Sequence, residues 1–263
     1  MGLTENTATA LLALNGLDVL PNSAISVEDT EIGLAGSGQR LAVLAPSGSR
    51  VLSSFEGESS AAGGSRLVLG PLNATNLNAL RDLLPWLRPR PLGTRTSAGF
   101  GDRLGLATPG HVRALRAAGG GLAPIFAQQS IREMERTGRS PQEVLDDATW
   151  GVFAEGWKEG FGADADHLKT AEDIDACVAA GYSFFTFDPG EYVDDGAEAA
   201  GASALHKAFE DLPWRELKDH PADMKKRYLD AVWGRPASTI QRASTTTPAH
   251  SPAFRPATTY GGA

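Results

Sequence analysis

Residues 162–167 read Gly162-Ala163-Asp164-Ala165-Asp166-His167, two carboxylates and an imidazole set where an apolar run gives out. A helix signal follows almost at once, at Thr170-Ala171-Glu172-Asp173. Carboxylate plus imidazole at the end of a strand is a common way to present a metal or proton-transfer site. On the residues alone two readings stand. In one, Asp164 and Asp166 cap the following helix and His167 is packed; in the other, the hexapeptide is a working site. Neighbouring side chains on a regular strand point to opposite faces. For Asp166 and His167 to act together, the strand is therefore expected to have ended and passed into a loop.

Outward from this point the chain is regular between Arg95 and Asp188. Ser97 to Gly101 is a candidate strand, and Thr108-Pro109 caps a helix carrying Val112 and Leu115 that Gly119-Gly120-Gly121 ends. Leu122 to Ala127 is the next strand, finishing in Gln128-Gln129. Ser140-Pro141-Gln142-Glu143 is a capping box with proline at the first helical position. Thr170 caps a helix through Ile174, Cys177 and Val178, stopped by Gly181. Tyr182 to Phe187 is a fourth strand, ending in Asp188-Pro189. Strands alternating with capped helices mean βαβ units and a parallel sheet. A doubly wound nucleotide-binding sheet is disfavoured, because Gly99-Phe100-Gly101 is followed by Leu104 where the third glycine of the phosphate fingerprint belongs. A barrel instead gathers polar groups from several strand ends. Asp102, Gln128, Gln129, Asp164, Asp166, His167 and Asp188 stand at four successive ones, so the fold class expected is α/β, a partial (β/α) TIM-type barrel.

The flanks say less. Residues 1–92 read as an accessory α/β lobe, with strands at Leu41–Leu44 and Leu67–Leu69, a Gly/Ser/Ala loop at Ser59–Ser65, and a helix capped by Asn73. Residues 93–234 form the barrel domain, with one or two further helices between Leu205 and Trp233. Residues 235–263, rich in Thr, Ser, Pro and Ala and without an acidic residue, are expected to be disordered. A formal net charge of −8 argues against a nucleic-acid or anionic-membrane surface. The single cysteine, Cys177, reads as a buried inert thiol. The first twenty residues lack a basic n-region and are broken by Glu5 and Asp18, so neither a signal peptide nor a membrane span is expected, and the protein is read as cytoplasmic.

Several longer words carry a resemblance. Gly101-Asp102-Arg103-Leu104-Gly105, His111-Val112-Arg113-Ala114-Leu115, Pro124 to Ser130, Glu135-Arg136-Thr137-Gly138-Arg139, Val144 to Phe153 and Gly160 to His167 occur in order. Together they resemble the tagaturonate epimerase family over about residues 92–195. The resemblance implies a metal-dependent barrel enzyme of hexuronate catabolism, interconverting D-tagaturonate and D-fructuronate. It further implies Asp166 as the acid/base and His167 as a ligand of a divalent metal cation. Gln128, Gln129, Asp102 and Arg103 are then candidate substrate-binding groups, Arg103 for the carboxylate. The expected partner is a small-molecule hexuronate, a keto sugar acid, with no nucleic acid and no membrane.

Family members are roughly twice this length. From Arg95 to Gly234 there are 140 residues, whereas an eight-unit barrel takes about 250. The abrupt change of composition after Arg235 reads as a frame change or premature end of the coding sequence, and two alternatives follow. One is a catalytically inactive half-barrel; the other is a sugar-acid binding module without turnover.

Overall fold

Leu41, Val43 and Ala45 face one apolar cluster while Ala42 and Leu44 face another, so the strand that carries them is covered on both sides. That strand lies at the centre of the first of two sheets in this computed structural model, which describes residues 7–118 and 120–228. After a short helix α1 (Thr7–Leu14), the first sheet is built from β1 (Ile25–Val27), β2 (Thr30–Ala35), β3 (Arg40–Pro46), β4 (Glu58–Ala62) and β5 (Ser65–Gly70). All its pairings are antiparallel, in the order β1-β2-β3-β5-β4. The expected loop at Ser59–Ser65 is instead mostly strand. Residues 58–62 pair with 65–69 across a turn at Gly63-Gly64, and their small polar side chains suit an exposed edge rather than a core.

Helix α2 (Ala74–Leu83) leads out of this sheet, capped by Asn73, whose side chain accepts from the Asn76 backbone N–H. The second sheet comprises β6 (Ser97–Gly101), β7 (Ala123–Ser130), β8 (Gly162–Leu168) and β9 (Phe184–Phe187), in that order and all parallel. Helices α3 (Thr108–Ala118), α4 (Ile131–Thr137), α5 (Pro141–Ala154) and α6 (Ala171–Ala180) connect them. The capping box at Ser140 and Glu143 forms as its sequence requires, and Thr170 and Asp173 make a second one. Parallel strands covered on both faces read as near-continuous apolar runs. Ala123 to Ala127 is such a run, every residue buried.

One apolar cluster serves both sheets, running from Ile32, Leu34 and Val43 through Leu77 and Leu80 to Phe126, Phe153 and Phe161. Arg81 of α2 crosses to α5, where it pairs with Asp146 at 2.9 Å and donates to Thr149 Oγ1 at 3.0 Å. The architecture is a mixed α/β fold with one antiparallel and one parallel sheet.

The chain divides into two compact units at Pro189. The described part of the second carries α7 (Ala202–Glu210) and α8 (Pro221–Tyr228). Phe209 packs edge-on against Trp214, and Arg227 forks onto Asp219. The helices expected between Leu205 and Trp233 are present as far as Tyr228; the segment 235–263 lies outside the described residues. No described helix is long and apolar enough to cross a membrane.

Candidate active site

The carboxyl ends of β6, β7 and β8 open onto one cavity of about 730 Å³. Asp102 and Arg103 follow β6, Gln128 and Gln129 close β7, and Asp166 and His167 stand near the end of β8, and these six line the same space, whereas Asp164 and Asp188, expected at the same strand ends, do not. The C-terminal edge of a parallel sheet is where such sites are built, because successive strands deliver their last side chains to a common rim.

At Asp166 and His167 the backbone differs from expectation. The strand does not end in a loop but continues to Leu168. Its register against β9 shifts between Ala165 and Leu168, and His167 sits at φ +57°. A bulged residue in the left-handed region re-aims its side chain, and histidine tolerates that region better than most residues. This lets two neighbours face one cavity. His167 Nδ1 lies 2.8 Å from Asp166 Oδ1. A carboxylate beside Nδ1 favours the tautomer with the proton on that nitrogen and leaves Nε2 as the lone-pair atom. Asp166 is mostly enclosed, whereas the imidazole is 59% exposed.

Neither aspartate of the hexapeptide caps the next helix, since Thr170 and Asp173 fill that role reciprocally. Asp164 turns inward instead. Its carboxylate accepts from Thr186 Oγ1 at 2.9 Å and Gln128 Nε2 at 3.2 Å, and burial pushes its pKa up to about 6 against those hydrogen bonds. Gln128 is thus tied to Asp164. The space that side chain fills depends on Gly99, where a Cβ would run into the Gln128 carboxamide.

The remaining wall is held by a polar scaffold. Asp102 accepts from the backbone N–H groups of Leu104, Gly105 and Ala107. Partial burial works to raise its pKa, but the backbone donors outweigh it and the net direction is down. Arg139 donates to the Asp102 carbonyl and to Gln129 Oε1, both at 3.1 Å, and pairs with Asp147 at 2.6 Å. Gln129 Nε2 donates onward to Thr137 Oγ1. Arg103 Nε lies 3.2 Å from Glu133 Oε2.

Arg132 and Glu133 also line the cavity, and the sequence reading passed over them. A signal was present: Ser130 is followed three residues on by Glu133, the spacing of a helix start, and Ser130 does accept from the Glu133 backbone N–H at the head of α4. A structural or catalytic divalent cation usually takes at least three protein ligands. Among the described residues no group of three or more His, Cys, Asp or Glu side chains is placed to hold one. These residues therefore do not by themselves make a metal centre. His167 and Asp166 supply one imidazole and the carboxylate that orients it.

Known proteins resemble this chain over most of its length. A family model described as tagaturonate epimerase matches residues 25–251. A tagaturonate/fructuronate epimerase from Thermotoga maritima is 51% identical over 147 residues, which are 56% of this chain and 30% of that protein. Two crystal structures of the fructuronate-tagaturonate epimerase from Cohnella laeviribosi superpose with a TM-score of 0.66 at 34% identity. The native form aligns over 87% of this chain and 45% of its own, and a glycerol complex over 86% and 44%. The chain thus spans less than half the length of the relatives it matches.

Proposed function

Because the chain belongs to the tagaturonate epimerase family, a family of isomerases, we propose that its cavity binds a keto hexuronate and serves the interconversion of D-tagaturonate and D-fructuronate. The observation that carries this reading is the pairing of Asp166 and His167, side by side on the cavity wall at the end of a buried parallel strand. The four-strand parallel order supports a partial (β/α) barrel, with residues 1–92 as a lobe sharing its core.

The two sugar acids differ in configuration at C4, a carbon β to the C2 ketone, so enolisation alone does not loosen its C–H bond. Retro-aldol cleavage followed by addition to the other face inverts it. Asp166 takes the C4 hydroxyl proton; the C4–O bond becomes a carbonyl, and the C3–C4 bond breaks to leave an enediolate over C2 and C3. Re-addition to the opposite face of the aldehyde re-forms C3–C4, and Asp166 returns the proton. The Asp166 carboxylate, 2.8 Å from Nδ1, orients the His167 imidazole beside it. Gln128 and Gln129 contact hydroxyls from the neighbouring strand. A divalent cation would supply Lewis acidity to the enediolate oxygens, with His167 as one of its ligands.

The test is to incubate the purified chain with D-tagaturonate and follow D-fructuronate by NMR. Turnover that falls about 100-fold or more in Asp166→Asn supports the assignment, that being the scale of a lost general base. Undiminished turnover in Asp166→Asn refutes the role of Asp166.

A further inference from the structure

Resting on the epimerase reading, we propose that Arg103 and Arg132, held in place by Glu133, form a paired guanidinium fork that recognises the carboxylate of the sugar-acid substrate. Three arginines surround the Glu133 carboxylate. Arg103 Nε is 3.2 Å from Oε2, Arg132 Nε is 3.8 Å from Oε1, and Arg136 Nη1 is 2.8 Å from Oε1. Glu133 is enclosed, its side chain 12% exposed, while those of Arg103 and Arg132 are 71% and 73% exposed. One negative charge thus faces three positive ones.

The manner of pairing matters more than the count. Arg103 and Arg132 both engage Glu133 through the inner nitrogen Nε. The terminal nitrogens of both make no hydrogen bond or ion pair among the described residues, and both side chains line the cavity. A planar fork with its outer N–H groups free matches a carboxylate in bidentate fashion. The other anions of the wall do not compete for it: Asp102 is occupied by backbone N–H groups and Asp166 by His167. Glu133 acts as a positioning residue, touching the arginines and not the substrate. Arg136 shares the same carboxylate but does not line the cavity, which makes it an internal control.

Calorimetric titration of the intact chain with D-fructuronate, neutral D-fructose and D-fructose 6-phosphate tests the proposal. The wild type is expected to prefer D-fructuronate to D-fructose by about 10- to 100-fold, the scale of charge-assisted hydrogen bonds. Arg132→Gln and Arg103→Gln should each remove most of that preference without changing the D-fructose affinity, and Arg136→Gln should keep it. Glu133→Gln should reduce selectivity while circular dichroism stays unchanged. Retained preference in both cavity variants, tighter binding of the phosphate than of the acid, or no binding of the acid at all overturns the proposal. Turnover with an unchanged KM in Arg132→Gln would reject the fork and leave the epimerase reading intact. Acid-selective binding without turnover would reject the epimerase reading and leave the fork.

Discussion

Asp164 is the residue whose behaviour is easiest to separate from its neighbours. Its pKa rises from 3.8 to about 6 in the folded chain because it is buried. A raised carboxyl pKa means that the folded state holds its proton more tightly than the unfolded chain does. The associated stability is complete below the unfolded pKa and is lost as pH rises through the folded one, up to about 3 kcal/mol in all. Asp164→Asn should therefore gain stability over wild type between about pH 4 and about pH 7, read as a widening gap between their urea midpoints. A gap that does not change with pH would remove burial as the cause. Gly99→Ala should act on the same group from the next strand but one, by displacing the Gln128 carboxamide and taking a donor from Asp164. Much of this site was legible residue by residue, since Asp102, Gln128, Gln129, Asp166 and His167 all stand at strand ends. What the sequence did not disclose was how two adjacent side chains share one cavity. That rests on a single backbone angle at His167, and composition and periodicity do not carry such angles.

At the scale of elements, the legible pieces were those with a signal in their own residues. Ser140 and Thr170 announce α5 and α6, and both make the reciprocal bonds their spacing requires. Ser140→Ala and Thr170→Ala should each cost about 1 kcal/mol. Equilibrium denaturation checks this, with an unchanged m-value separating a lost cap from a changed core. Strand β7 was visible because continuous burial writes a continuous apolar run, whereas β8 carries two aspartates and a histidine and was marked only by the apolar residues before it. Strand β4 was not, because Glu58-Ser59-Ser60-Ala61-Ala62 is an exposed edge and its pairing with β5 is decided by a partner rather than by its own composition. Helix α4 escaped for a related reason: seven residues long and starting directly from a strand, it leaves no loop to mark its beginning.

For the molecule as a whole, the buried pair of Arg81 and Asp146 joins the α2 helix beside the antiparallel sheet to α5 beside the parallel one. Burial lowers the Arg81 pKa, with Asp146 opposing the shift. Removing one partner of such a pair strands a buried charge, so Arg81→Met or Asp146→Ala should each cost about 3–5 kcal/mol. The double replacement Arg81→Met with Asp146→Leu should recover much of that loss, and a double-mutant cycle on thermal midpoints measures the difference. The same linkage predicts that a fragment beginning at residue 93 fails to unfold cooperatively, having lost the Leu77 and Leu80 side of the common core. A final consequence lies in β9, one of the two outer strands of the parallel sheet among the described residues, where Phe184 and Phe187 are 53% and 61% exposed. Aromatic side chains beside open backbone hydrogen-bonding groups invite pairing between molecules. Solutions of the chain should therefore scatter more light as concentration rises, overproduction in a cell should draw chaperones to this strand, and a lysine in place of Phe187 should keep the protein dispersed.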